Sequence, residues 1–149
     1  MPEIREVSYE HADSTMLRAA QKAELAARYG TPDTGPGVAP SGTDMTAFFV
    51  AYEDGMPAGC GGLRQLTDDE AEIKRMYVTP AHRGTGISVA VLEAIEAYSR
   101  ESGLSKLVLE TGTLQPDAMR FYEREGYTRI PNFGAYIGSE LSVCYAKSL

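Results

Sequence analysis

The chain has 149 residues, 43% of them apolar, and 14 Lys and Arg against 21 Asp and Glu give a formal net charge of −7. That length and apolar fraction predict one core and a single domain over residues 1–149, and the negative charge excludes a partner that demands a basic surface, nucleic acid first. No apolar run approaches the ~18 residues of a membrane span, and no charged-then-apolar leader opens the chain, so a cytoplasmic protein without a membrane partner is expected.

In chain order, Ile4 to Tyr9 alternates like a first strand. Asp13-Ser14-Thr15 supplies N-cap oxygens for a helix whose predicted inner face is Met16, Ala19, Ala20, Ala23 and Ala27, and Gly30 ends it. The prolines and glycines of Thr31 to Thr43 predict a long irregular loop. Ala47 to Tyr52 and Ala58 to Leu63 are antiparallel strands joined through Asp54-Gly55. Gly59, Gly61 and Gly62 within the second of them predict a close backbone approach or a bulge. A polar turn, Thr67 to Glu70, leads into a strand at Glu72 to Val78, and Thr79-Pro80 stops it.

After that strand comes Arg83-Gly-Thr-Gly86-Ile-Ser88, then a helix from Val89 to about Arg100 whose inner face is Ile87, Ala90, Val91, Ala94, Ile95 and Tyr98. Strand, glycine loop and helix aim backbone N–H groups and a helix dipole at one spot, which is a site for phosphate. Gly103 closes this helix, and Lys106 to Thr111 is a strand reached by a right-handed crossover. Pro116 and Asp117 open another helix with Ala118, Phe121 and Tyr122 inward and Gly126 at its end. Tyr127 to Ile130 and Leu141 to Lys147 form a last hairpin. Cys60 and Cys144 lie far apart, so reduced buried thiols are expected. With only His11 and His82 besides, no metal site is expected.

Three glycine-loop patterns compete for the phosphate. A P-loop requires Gly-Lys-Ser or Gly-Lys-Thr, which the chain lacks. A dinucleotide fingerprint requires a third glycine where Val89 stands. Arg83-Gly-Thr-Gly86-Ile-Ser88 resembles the R/Q-x-x-G-x-G/A loop of the GNAT acetyltransferases, departing from it at Ser88. The resemblance extends to either side: Glu72 to Val78 looks like that family's fourth strand, Leu107 to Thr111 like its fifth, and Ala118 to Tyr127 like its closing helix.

That resemblance implies an α+β fold, a mixed and largely antiparallel sheet split near strands four and five with helices on both faces. It implies acetyl-CoA as co-substrate, no metal, and transfer to a primary amine of a small molecule or peptide by direct attack. Arg83, Gly84, Thr85, Gly86, Ile87 and Ser88 would hold the pyrophosphate. Met76, Tyr77 and Val78 would pair with the pantetheine arm, and Gln115 stands where the family has a pantetheine-contacting Asn. Tyr122 takes the place of the family's general acid; a phenol of pKa about 10 can protonate a thiolate without ionising at neutral pH. Glu72 and Glu110 are the candidate bases, with Glu72 favoured because it heads the strand that carries the thioester. The loop at 31–43 borders the acceptor pocket in the family and is a candidate lid, and an edge-strand homodimer is compatible with such a fold. A noncatalytic acyl-CoA-binding module and a small dinucleotide-binding domain with Glu110 on a ribose remain as alternatives.

Overall fold

In the computed structural model, residues 2–30 and 44–149 are described, so the candidate lid at 31–43 lies outside the described residues. The elements run β1 (Glu3–Glu6), α1 (Ala12–Tyr29), β2 (Ala47–Glu53), β3 (Met56–Gln65), β4 (Glu70–Val78), α2 (Ile87–Glu101), β5 (Lys106–Gly112), α3 (Pro116–Arg124), β6 (Thr128–Ile130) and β7 (Ser142–Ser148). The strands build one sheet in the order β1-β2-β3-β4-β5-β7-β6. Its neighbours are antiparallel except β4 and β5, whose parallel pairing needs the crossover that α2 provides. At the β2–β3 hairpin Asp54 and Gly55 both take positive φ, 50° and 78°, which is what a tight turn matched to the strand twist requires.

Two apolar layers flank the sheet. On one face α2 and α3 cover Ile73, Leu107, Leu109, Val143 and Tyr145 with Ile87, Val91, Ile95 and Tyr122. On the other, Leu17 of α1 packs with Tyr9, Phe48, Val50, Cys60 and Tyr77. Close packing of α2 depends on β3: a Cβ on Gly59 would sit 2.6 Å from Ile87 Cγ2, and one on Gly61 would meet Met76 Sδ at 2.5 Å and Val91 Cγ1 at 2.9 Å. The expected close approach is therefore real, and it seats the N-terminal turn of α2 against the sheet.

Two expectations need correction. β1 ends at Glu6, because residues 8–11 turn into α1: Ser14 Oγ donates to the Ser8 carbonyl, and His11 Nδ1 accepts the Asp13 N–H. More consequentially, the predicted inner face of α1 is its outer one. Met16, Ala19, Ala20, Ala23 and Ala27 are exposed, whereas Ser14 and Leu17 are buried and Arg18, Gln21 and Glu24 half-buried. Around the buried Leu17, the other inward side chains of α1 are hydrogen-bonding ones. Arg18 donates to the Tyr9 carbonyl, Gln21 to the Met76 carbonyl, and Glu24 accepts from Arg83.

Candidate active site

The sheet is interrupted at its centre. Pairing of β3 with β4 slips between Cys60 and Gly62, and Arg75 of β4 takes φ 63°, a left-handed conformation uncommon outside glycine. This is a β-bulge, which bends its strand and breaks the alternation of side chains. On the other side of β4, parallel pairing with β5 runs from Glu70↔Lys106 to Ile73↔Leu109 and stops. Beyond that point Lys74–Val78 and Glu110–Gly112 are no longer paired with each other, and the sheet splits into a wedge. α1 straddles it: Gln21 Nε2 reaches the Met76 carbonyl at 2.9 Å, and Tyr29 Oη accepts the Leu114 N–H at 3.3 Å beside Gly112.

At the head of the wedge lies the glycine loop. Gly84 and Gly86 have φ 76° and 88°, and a Cβ on either would meet open space. Glycine is thus required by backbone conformation and not by packing against the protein. Gly86 is the N-cap of α2 and no side chain caps the helix, so the N–H groups of its first turn stay available. Thr85 Oγ1 donates to the His82 carbonyl and steadies the loop. Ile87 is 1% exposed, so only its backbone faces the loop, and Ser88 is half-buried. Arg83 does not project from the loop as a free charge. Its Nε donates to the Val78 carbonyl at 3.0 Å and its Nη2 to Glu24 Oε1 at 2.6 Å, fastening β4 to α1. Met76 and Val78 pack toward α2 and Tyr77 toward α1, leaving the backbone as what these three residues offer the wedge.

Tyr122 lies on the α2/α3 face, with its ring edge-on to Phe121 and Tyr127, centroids 5.1 and 5.8 Å apart. Burial pushes its phenol well above the usual tyrosine range, so it stays protonated across the working pH range. Among the described residues no hydrogen-bond partner ties up its hydroxyl, unlike Tyr127 and Tyr145, which donate to Glu96 and Glu123. Gln115 is the N-cap of α3, and its side chain makes no capping bond.

The two candidate bases differ sharply. Glu72 is 1% exposed and both its oxygens are engaged: Arg64 donates to Oε1 at 2.8 Å, while Tyr136 and Lys74 donate to Oε2 at 2.7 and 3.4 Å. Lys74 also reaches Tyr136 Oη at 2.9 Å. Burial lowers the Lys74 ammonium below its ordinary range, with Glu72 opposing. Glu110 stands on the same face of the sheet, half-buried, and one contact holds it: Ser142 Oγ donates to Oε2 at 2.7 Å. Burial raises its carboxyl pKa, and the Ser142 bond and Lys74 counter only part of that rise. The pairing of Glu72 with Lys74 across one strand is legible in sequence. Tyr136, 64 residues away, carries no such signal.

A split sheet, an uncapped glycine loop at the head of α2 and a buried tyrosine on the closing helix form one constellation, and comparison with known proteins gives it a name. The family model "Acetyltransferase (GNAT) family" matches residues 15–127. The chain belongs to the GNAT acetyltransferases. It is 39% identical over 103 residues to the IAA acetyltransferase of Azospirillum brasilense, an alignment covering 68% of this chain and 67% of that one. A Klebsiella pneumoniae structure assigned as an acyl-CoA N-acyltransferase superposes with TM-score 0.86 at 28% identity, over 100% of this chain and 98% of that one. An Elizabethkingia anophelis GNAT acetyltransferase with acetyl-CoA bound shares the fold, with TM-score 0.73 at 16% identity over 99% and 98% of the two chains. As a GNAT acetyltransferase the protein takes its acetyl group from acetyl-CoA, and the expected α+β fold, split between β4 and β5, is the one observed. Among the described residues no helix is long and apolar enough to cross a membrane.

Proposed function

We propose that this GNAT enzyme acetylates a primary amine of a small molecule or peptide by direct attack on acetyl-CoA, with Tyr122 as general acid and Glu110 as general base. The observation that carries this reading is the wedge, which joins the face bearing Tyr122 to the face bearing Glu110. In this arrangement the pyrophosphate lies on the N–H groups of residues 84–88, with Gly84 and Gly86 permitting the approach. The pantetheine runs along the backbone of Met76–Val78 opposite Gln115, and a β4 N–H polarises the thioester carbonyl. Glu110 removes a proton from the ammonium, the amine attacks, and the departing thiolate takes the Tyr122 proton. Burial that holds the phenol high also raises the thiol beside it, so donor and acceptor shift in the same direction.

Glu110 replaces Glu72 as the favoured base because both oxygens of Glu72 already accept from Arg64, Tyr136 and Lys74. The thiols favour direct attack over an acyl-enzyme: burial raises the Cys60 thiol to about 12 and pushes Cys144 up as well, and a neutral thiol is a poor nucleophile. Initial-rate patterns that intersect for acetyl-CoA and amine, with no acetyl adduct in intact mass, are expected. A ping-pong pattern would refute direct attack.

Two substitutions test the parts. Gly86→Asp should weaken acetyl-CoA binding by about tenfold or more in calorimetry, because αL backbone costs a non-glycine residue ~1 kcal/mol and the new charge faces the pyrophosphate. Unchanged affinity in a folded variant would remove the loop from the site. Glu110→Gln should lower kcat/KM, with a deficit that shrinks toward pH 9 as free amine accumulates. Its stability effect should have the opposite sign. A carboxyl whose folded pKa is raised supports the fold most below its unfolded pKa, and that support is lost as pH rises through the folded value. Removing the charge should therefore leave the protein at least as stable as the parent at pH 7, measured by urea unfolding.

A further inference from the structure

Four cationic side chains converge on the α1 side of the wedge, and they fall into two classes. Arg64 and Lys74 are held by Glu72 at 2.8 and 3.4 Å. Arg18 and Arg75 have no carboxylate partner among the described residues. Arg18 lies with its guanidinium 3.6 Å from the Tyr9 ring centroid, donating through Nη2 to the Tyr9 carbonyl and, at 3.4 Å, to Thr15 Oγ1. Nε is buried with no acceptor in Arg18, Arg75 and Arg64 alike, so what sets Arg18 and Arg75 apart is the lack, among the described residues, of a carboxylate on their remaining guanidinium nitrogens. Both residues are half-buried; Cys60 Sγ donates to the Arg75 carbonyl at 3.3 Å, and both charges oppose the rise of that thiol. Arg75 also acts on Lys74, which in turn acts on Glu110. The bulge at Arg75, φ 63°, breaks the strand alternation, so that Lys74 joins Glu72 while Met76, two residues on, packs on the opposite face. A non-glycine residue held in that conformation costs free energy that the surrounding structure must over-determine, and such strain concentrates where a side chain has work to do.

A half-buried guanidinium without a counter-charge is unfavourable, and its planar pair of Nη groups is built to receive a carboxylate in two parallel bonds. We propose that the acceptor carries a carboxylate beside its amine, as in an α-amino acid or a similarly short amino-carboxylate, and that Arg75, seconded by Arg18, holds it. This rests on the acetyl-transfer reading and adds the acceptor class to it. The carboxylate sits at the bulge with the amine directed toward Glu110, one short molecule bridging the mouth of the wedge. The enzyme's negative net charge is then no obstacle, because the pocket opposes it locally with two guanidiniums that no carboxylate among the described residues neutralises.

The test is calorimetric titration into protein saturated with CoA, which cannot react. The probes are the proteinogenic amino acids and β-alanine, each against its decarboxylated amine or methyl ester, together with phosphoethanolamine. At least one acid should bind, its neutral counterpart should bind about 30-fold or more weakly, and Arg75→Gln should weaken the acid by a similar factor with CoA affinity retained. Arg75→Lys should restore part of the loss, and the acid-against-ester comparison on the unaltered enzyme stands even if Arg75→Gln fails to fold. Equal binding of acid and ester, binding of no acid, an Arg75→Gln variant that keeps full affinity, or preference for phosphoethanolamine would each overturn the proposal. Failure of acetyl transfer itself shows separately, as absence of thiol release from acetyl-CoA with every amine offered.

Discussion

Tyr122→Phe is expected to lower kcat by about 10²-fold, the scale of one positioned proton donor, while acetyl-CoA affinity stays within about twofold. The hydroxyl is the only group lost, and among the described residues it has no partner whose bond would be broken. The ring contacts with Phe121, Tyr127 and Tyr145 survive in phenylalanine, so thermal stability should hardly move. An interaction made only as the thiolate departs lowers kcat and kcat/KM together and leaves ground-state binding alone. The decisive measurement is a single-turnover rate, since slow product release would mask a chemical defect. A wild-type single-turnover rate would make Tyr122 a packing residue and return the leaving-group proton to solvent.

The second large effect is on stability. Glu72→Leu should cost about 3–5 kcal/mol, because it strands Lys74 and Arg64 without their counter-charge in a buried setting. Tyr136 loses an acceptor in the same step and stays 7% exposed. Glu72→Gln keeps an acceptor for Tyr136 and should lose less. Urea unfolding reads both, and activity per folded molecule provides the discriminating control. Glu72→Gln should retain most of its kcat/KM and show the wild-type pH profile. If Glu72→Gln folds normally yet shows the deficit that shrinks toward pH 9, Glu72 is the base after all and the assignment of Glu110 fails.

The parts of this site that could be read from the sequence are those made by neighbours in the chain. Gly84 and Gly86 announce their backbone conformation, and the Phe121-Tyr122 pair is fixed by helical spacing and by Gly126 four residues on. The bulge at Arg75 was not legible, because an extra residue in β4 becomes extra only against its partner β3. For the same reason the surroundings that distinguish Glu72 from Glu110 could not be read locally: Tyr136 and Arg64, which donate to Glu72, are brought in by the fold. α1 misled in another way. Its alanine stripe has a helical period as regular as that of an inner face, while the face that packs inward carries Arg18, Gln21 and Glu24, whose partners are backbone carbonyls and a distant arginine.

The wedge has a cost that any sheet protein must manage. Where β4 and β5 part, each acquires an edge, so the molecule carries two strand edges in its middle in addition to those at its rims. Unpaired edges invite other chains to add to them. Three features already described guard these interior edges: the bulge at Arg75 twists β4 out of line, Gln21 occupies the Met76 carbonyl, and Tyr29 stands over the end of β5. α1 is thus a cover for these edges as well as a layer of the fold. That accounts for the polar inner face of a helix whose outer face is mostly alanine: it is shaped to satisfy a strand edge, which an apolar face would leave unbonded.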